Sequence, residues 1–257
     1  MAEPNDGGET RDSFLGGALH VWQPAGSYRA GIDAVLLAAA VAADPGDTVL
    51  DAGAGVGTVG LAIARRVAGC RVTLVERSPA LAALAARNIT GNDLADSVRL
   101  VTADLTAPLA ATPELAEHAG RFAHVVANPP YVAEGEGTRP ADPIRAGANA
   151  MPPGGLDAWA RFLAAMAAPR GRLTMIHRAD ALPAVLAALD GRFGGVRVFP
   201  LFPREGQAAH RIIVQAAKGS RAPLALSQGL VLHDAGGRFL PRIEAILRAG
   251  AALAILK

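Results

Sequence analysis

Thr48-Val-Leu-Asp51-Ala-Gly53-Ala-Gly55-Val-Gly57-Thr-Val-Gly60 is the stretch that decides the fold. The apolar run ending at Asp51 reads as a buried strand, and residues 58–67 beyond it as a helix. The glycines between them let the backbone turn sharply and let a ligand approach it closely. Gly55, Gly57 and Gly60 also have the spacing of a dinucleotide fingerprint, in which a diphosphate rests on the turn and the helix N-terminus. Asp51 argues against that reading. Its carboxylate enters the same turn, where it would repel a diphosphate and attract a cation.

Outward from this unit, strands are expected at residues 71–76, 98–103, 122–127, 172–177, 195–202 and 211–216. Helices are expected at 33–43, 79–90, 113–119, 156–168 and 181–189. Alternation of this kind specifies an α/β fold with a doubly wound, seven-stranded, mostly parallel sheet. The last two strands are joined only by residues 203–210, too few for a crossover helix, so the last strand is antiparallel and closes one edge as a hairpin. Residues 1–12 read as a disordered lead. Residues 13–222 form one domain that begins with a hairpin or strand at 14–23 and the helix at 33–43. Residues 223–257 form a small C-terminal tail packed on that domain. The loop at 131–155 is long and rich in Gly and Pro, as functional or disordered loops are.

Composition narrows the classes. The chain has 257 residues, a net charge of +2 and one cysteine, Cys70. A lone cysteine excludes a disulfide framework and suits the cytoplasm. Hydrophobic residues make up 51%, but 57 residues are alanine, so the share of large apolar side chains is ordinary. The longest apolar run, Ala34 to Ala43, falls far short of the ~20 residues a membrane span needs, so no membrane partner is expected. Residues 1–120 carry 8 basic and 14 acidic side chains, a net −6; residues 121–257 carry 17 and 9, a net +8. A basic half points to an anionic partner as readily as to scattered surface arginines. The six histidines show no ligand spacing, and no metal is expected. Trp22 and Trp159 read as packing residues.

Three acidic residues stand at strand ends. Asp51 enters the turn formed by Gly53, Ala54 and Gly55, and it suits a sulfonium and an ammonium such as S-adenosylmethionine carries. Glu76, 25 positions later, can accept both hydroxyls of a ribose. Asp104 can accept a hydrogen bond from an adenine amine. The Asp-x-Gly-x-Gly arrangement resembles the first motif of the class I methyltransferases, whose fold is Rossmann-like. The fourth strand ends in Asn128-Pro129-Pro130-Tyr131. Two prolines fix the backbone there. The Asn128 side-chain oxygen and the Pro129 carbonyl can each take one hydrogen of an NH2 group, turning its lone pair toward the methyl donor, while Tyr131 stacks on a planar base or amide. Positioning and charge complementarity, rather than a strong base, would carry the rate. The signature resembles that of enzymes methylating adenine N6, guanine N2 or a glutamine amide.

A wider likeness runs through most of the chain. Thr10-Arg-Asp12-Ser-Phe14-Leu-Gly16-Gly17, Gln23-Pro24, Tyr28-Arg29-Ala-Gly31-Ile-Asp33, Asn88-Ile-Thr-Gly-Asn92 and Ala209-His210-Arg211-Ile-Ile-Val214 resemble the bacterial valine-tRNA adenine-N6 methyltransferase family. This resemblance implies S-adenosylmethionine as cofactor, tRNA as partner, and Arg29 and Asp33 near the methionine end of the cofactor. An anticodon-loop adenine can be splayed into a pocket at modest cost. Arg139 and Arg145, in the loop beside the signature, are the candidates for holding RNA phosphates. Two alternatives stay open: glutamine-N5 methylation of a protein such as a release factor, and a non-catalytic RNA-binding protein that keeps the fold. Glutamine-directed enzymes of this kind usually carry a helical domain before the core, and only about 30 residues precede the first core helix here. The apolar end of the chain suits docking on the body or a dimer contact.

Overall fold

The computed structural model describes residues 4–5, 8–25, 30–130, 132–133, 150–151 and 155–255. The chain opens with a small antiparallel sheet of β1 (Pro4–Asn5), β2 (Glu9–Phe14) and β3 (Leu19–Pro24), followed by α1 (Ile32–Ala40). The body then runs β4 (Thr48–Ala52), α2 (Thr58–Arg66), β5 (Arg71–Glu76), α3 (Pro79–Gly91), β6 (Val98–Thr102), α4 (Pro113–Ala116) and β7 (Phe122–Ala127). A two-residue pair, β8 (Val132–Ala133) and β9 (Ala150–Met151), precedes α5 (Gly155–Met166), β10 (Ala167–Arg178), α6 (Leu182–Leu189), β11 (Phe193–Phe202) and β12 (Arg211–Lys218). The chain closes with β13 (Ala225–Leu226), β14 (Leu230–Val231) and α7 (Pro241–Ala249).

The main sheet has the order β13-β11-β12-β10-β7-β4-β5-β6, with β14 also on β11. Strands β6, β5, β4, β7 and β10 are parallel, and β12 is antiparallel to both β10 and β11. The sheet thus contains the seven expected strands and the antiparallel last one. Two short strands from the C-terminal tail raise the total among the described residues to nine. The hairpin of β11 and β12 places β12 inside and β11 outside, and the tail strands cover the outer side of β11.

Helices cover both faces, as the alternation requires. Helices α1, α2, α3 and α7 enclose one apolar cluster, and α4, α5 and α6 the other. Helix α1 is apolar nearly all round and buried from Ala34 to Ala40, because α2 and α7 sandwich it against the sheet. Ser78 caps α3 by accepting the Leu81 N–H, with Pro79 at its first position. No helix among the described residues is long and apolar enough to cross a membrane.

Two expectations need correcting. Residues 9–12 are strand, not disordered lead: Glu9 to Asp12 pair with Pro24 to Val21 of β3. Their polar sequence lacks a core-facing alternation, so the order comes from tertiary partners, including Glu9 with Arg87 and Asp12 with Gln23. The helix expected to end at residue 168 stops at Met166, and β10 begins at once, with an irregularity between Ala167 and Arg172 at which Arg170 takes φ 63°.

Candidate active site

The sheet order puts the site where it does. Strand β4 has β5 on one side and β7 on the other, the switch point at which successive connections diverge and leave a crevice. Asp51 pairs with Val126, and Ala52 with Ala127. Gly53 and Asn128 therefore leave the sheet side by side, one residue beyond the last matched pair.

The turn after β4 is fixed from within. Gly53, Gly55 and Gly57 take φ of 63°, 58° and 89°. A Cβ on Gly53 would lie 2.3 Å from Cη2 of Trp159, so an indole from α5 occupies the space a side chain would need. A Cβ on Gly60 would lie 2.3 Å from Leu74 Cδ2, which lets α2 pack onto β5. The Gly55 side faces open space. The Ala54 N–H donates to the Val75 carbonyl, and the Gly57 N–H to the Ala54 carbonyl, both at 2.9 Å.

Three carboxylates line successive strand tips. Asp51 is 1% exposed, and its Oδ2 accepts the Gly60 N–H at 2.9 Å, capping α2 from below. Burial pushes its carboxyl up to about 7; the Gly60 hydrogen bond opposes the rise and the Glu76 charge adds to it. Glu76 is also buried. Its Oε2 accepts the Gly55 N–H at 2.8 Å and its Oε1 the Ser78 N–H at 2.7 Å, so the carboxylate is locked in orientation. Asp104 is exposed just after β6. Its Oδ1 accepts the backbone N–H and the hydroxyl of Thr106 at 2.8 and 2.6 Å. Slight burial would raise its pKa, but the Thr106 bonds and the Arg77 guanidinium outweigh this and hold the carboxyl below its usual range.

After β7, Asn128 is half-buried, Pro129 buried and Pro130 half-buried. Asp33, in the first turn of α1, pairs with Arg211, whose Nε lies 2.8 Å from Asp33 Oδ2. Arg211 opens β12 opposite Arg178, at the sheet edge that also carries the β4 and β7 tips. Asp33, Asp51, Gly53, Ala54, Gly55, Glu76, Asp104 and Asn128 thus share one edge of the sheet. Arg29, Tyr131, Arg139 and Arg145 lie outside the described residues.

Three contacts of the site have no clear sequence signal. Trp159 packs against Gly53 as a core residue of α5. Arg211 and Asp33 meet across 178 positions. Asn88, which in the sequence carries only a family likeness, reaches the Val56 carbonyl in the turn at 2.9 Å.

Comparison with known proteins agrees with this geometry. Residues 26–155 match the family model described as the methyltransferase small domain. The tRNA1(Val) (adenine(37)-N6)-methyltransferase of Aeromonas hydrophila is 28% identical over 231 residues, covering 87% of this chain and 90% of that one. A release factor glutamine methyltransferase of Gloeobacter violaceus is 31% identical over 181 residues, covering 67% and 59%. Among solved structures, a predicted O-methyltransferase from Agrobacterium tumefaciens superimposes with a TM-score of 0.73 at 33% identity, covering 86% of this chain and 98% of that one.

Proposed function

This chain belongs to the methyltransferase small-domain family and is an S-adenosylmethionine-dependent methyltransferase, and we propose that it methylates an exocyclic amino nitrogen, adenine N6 in tRNA. The observation that carries the proposal is the register of β4 and β7. It sets the Asp51–Gly55 turn and Asn128-Pro129-Pro130 side by side at the switch point.

The residues fit the cofactor. A dinucleotide diphosphate would need amides free at the turn and helix start. The Gly55, Gly57 and Gly60 N–H groups are instead taken by Glu76, the Ala54 carbonyl and Asp51. Glu76 and Asp104, joined by Asp51 when it is ionised, make the cleft negative, which suits a sulfonium and an ammonium. When bound, S-adenosylmethionine supplies an electrophilic methyl group. Glu76, oriented by two backbone amides, accepts the ribose hydroxyls through its remaining lone pairs. Asp104 accepts the adenine amine, and Gly55 leaves its open side for the ligand.

Acceptor chemistry follows from Asn128 and Pro129. An NH2 has two hydrogens and a delocalised lone pair. In this reading the Asn128 amide oxygen and the Pro129 carbonyl oxygen each accept a hydrogen bond from one N–H, which turns the lone pair to the methyl carbon. As the methyl–nitrogen bond formed, the methyl–sulfur bond would break and the cofactor would leave as the neutral thioether; the nitrogen would grow acidic, so water would suffice to carry off its proton. A hydroxyl acceptor has one hydrogen and would call for a base, which neither oxygen is. Tyr131 stacks on the base, and the arginines of the basic second half, Arg139 and Arg145 among them, hold phosphates. The similarity to a tRNA adenine-N6 enzyme over most of both chains supports RNA as substrate. The test is transfer of labelled methyl to total tRNA and, separately, to release factor. Label in tRNA supports the proposal; label in the protein alone replaces it with glutamine methylation.

A further inference from the structure

Asn88 and Asn92 sit one helical turn apart, at the C-terminal end of α3, and face β3. Asn88 Oδ1 accepts the Trp22 N–H at 2.7 Å, and its Nδ2 donates to the Trp22 carbonyl at 3.0 Å. Asn92 repeats the pattern on His20, at 2.9 and 2.6 Å. Four residues of helix rise about 6.0 Å and two residues of strand about 6.6 Å, so side-chain amides at i and i+4 can stand in for the edge of a neighbouring strand. The N-terminal hairpin is held to the body in this way.

The two asparagines differ in one respect. The second Nδ2 hydrogen of Asn92 goes to the Asn88 carbonyl within the helix, at 2.7 Å. That of Asn88 goes to the Val56 carbonyl, in the turn that carries Gly53, Gly55 and Gly57. Asn88 is 0% exposed, and its amide spends one acceptor and two donor bonds on two separate segments.

We propose that Asn88 is a positioning residue that couples hairpin docking to the order of the cofactor turn, so that cofactor binding and hairpin docking strengthen each other. The coupling rests on the S-adenosylmethionine reading of the turn. It is reciprocal by linkage: a cofactor that favours the ordered turn also favours the docked hairpin.

Calorimetry with S-adenosylmethionine on Asn88→Ala and Asn92→Ala separates coupling from structural support. Both variants lose hairpin bonds, and both lower the Tm. Asn88→Ala weakens cofactor binding about tenfold, the scale of leaving a buried carbonyl without its donor. Asn92→Ala stays within about twofold of wild type, because it does not touch the turn. If the two variants weaken binding equally, or neither does, the coupling is wrong. A wild-type experiment stands in should Asn88→Ala fail to fold: saturating S-adenosylmethionine slows hydrogen exchange at the Trp22 amide, which donates to Asn88 Oδ1. Unchanged exchange at Trp22 overturns the proposal. If wild type itself fails to bind S-adenosylmethionine, the functional reading falls and the coupling with it; if wild type and Asn88→Ala bind alike, only the coupling falls.

Discussion

Replacing Asp51 with Asn tests the charge logic of the cleft. Asn keeps an oxygen for the Gly60 N–H and nearly the same volume, so α2 stays capped. It removes the negative charge and the titration. The Asp51 carboxyl titrates near 7 because it is buried, so at pH 6 only about a tenth of it is ionised and at pH 8 about nine tenths. If the ionised form is the one that binds a cationic cofactor, affinity rises about tenfold from pH 6 to pH 8, about 1.4 kcal/mol. The ammonium of the cofactor titrates identically against both proteins, so the quantity to measure is the wild-type to variant affinity ratio. It should climb by that factor across the interval. Calorimetry at pH 6.5 in buffers of different protonation enthalpy should show wild type releasing a proton that the variant does not. Stability moves the other way. A carboxyl whose folded pKa is raised contributes stability that is fully present below the unfolded value near 4 and is lost as pH rises through about 7. Above pH 7 the Asn variant should therefore be the more stable protein, by on the order of a few kcal/mol. An affinity ratio flat with pH would mean that Asp51 serves α2 alone, and the electrostatic case for the cofactor would fail.

Asn128→Ala should leave cofactor affinity nearly intact and lower turnover by on the order of 10²–10³, the scale of one preorganised polar group; equal turnover would remove Asn128 from its role. Gly53→Ala meets both a left-handed φ and Trp159 Cη2, so it should lower the Tm by several degrees and weaken cofactor binding. Adding Trp159→Ala to it should restore part of the binding, since it removes the collision and leaves only the backbone strain; no recovery would place the defect elsewhere. Replacing Arg139 and Arg145 should flatten the salt dependence of tRNA binding by about one unit of slope for each arginine that neutralises a phosphate. An unchanged slope assigns the phosphates to other side chains.

The strands of the sheet were legible because parallel strands covered on both faces are short continuous apolar runs, as in Leu74-Val75 and Val125-Val-Ala127. The carboxylates were legible because chain direction places strand ends at one sheet edge, so Asp51, Glu76 and Asp104 follow from counting. What sequence could not supply was long-range pairing. Glu9 to Asp12 carry no apolar period, and their order depends on β3 and Arg87. Asn88 and Asn92 look like the polar face of a helix, and only the docked hairpin makes them a strand edge. Trp159 reads correctly as a packing residue, yet nothing local says that it packs on Gly53. Asp33 resembles a helix-start acid, which it is, while its ion pair with Arg211 exists only once β12 lies inside the sheet.

The most direct measurement of the central claim is the chemical position of the transferred methyl group. Purified protein is incubated with methyl-labelled S-adenosylmethionine and tRNA from cells lacking the gene, and the digested nucleosides are resolved by mass spectrometry. Label is expected in N6-methyladenosine, and on the order of a hundredth to a thousandth as much when Asn128→Ala replaces wild type for the same incubation time. Label on a ribose oxygen or a ring carbon, or undiminished labelling by Asn128→Ala, would contradict an amino acceptor held by Asn128.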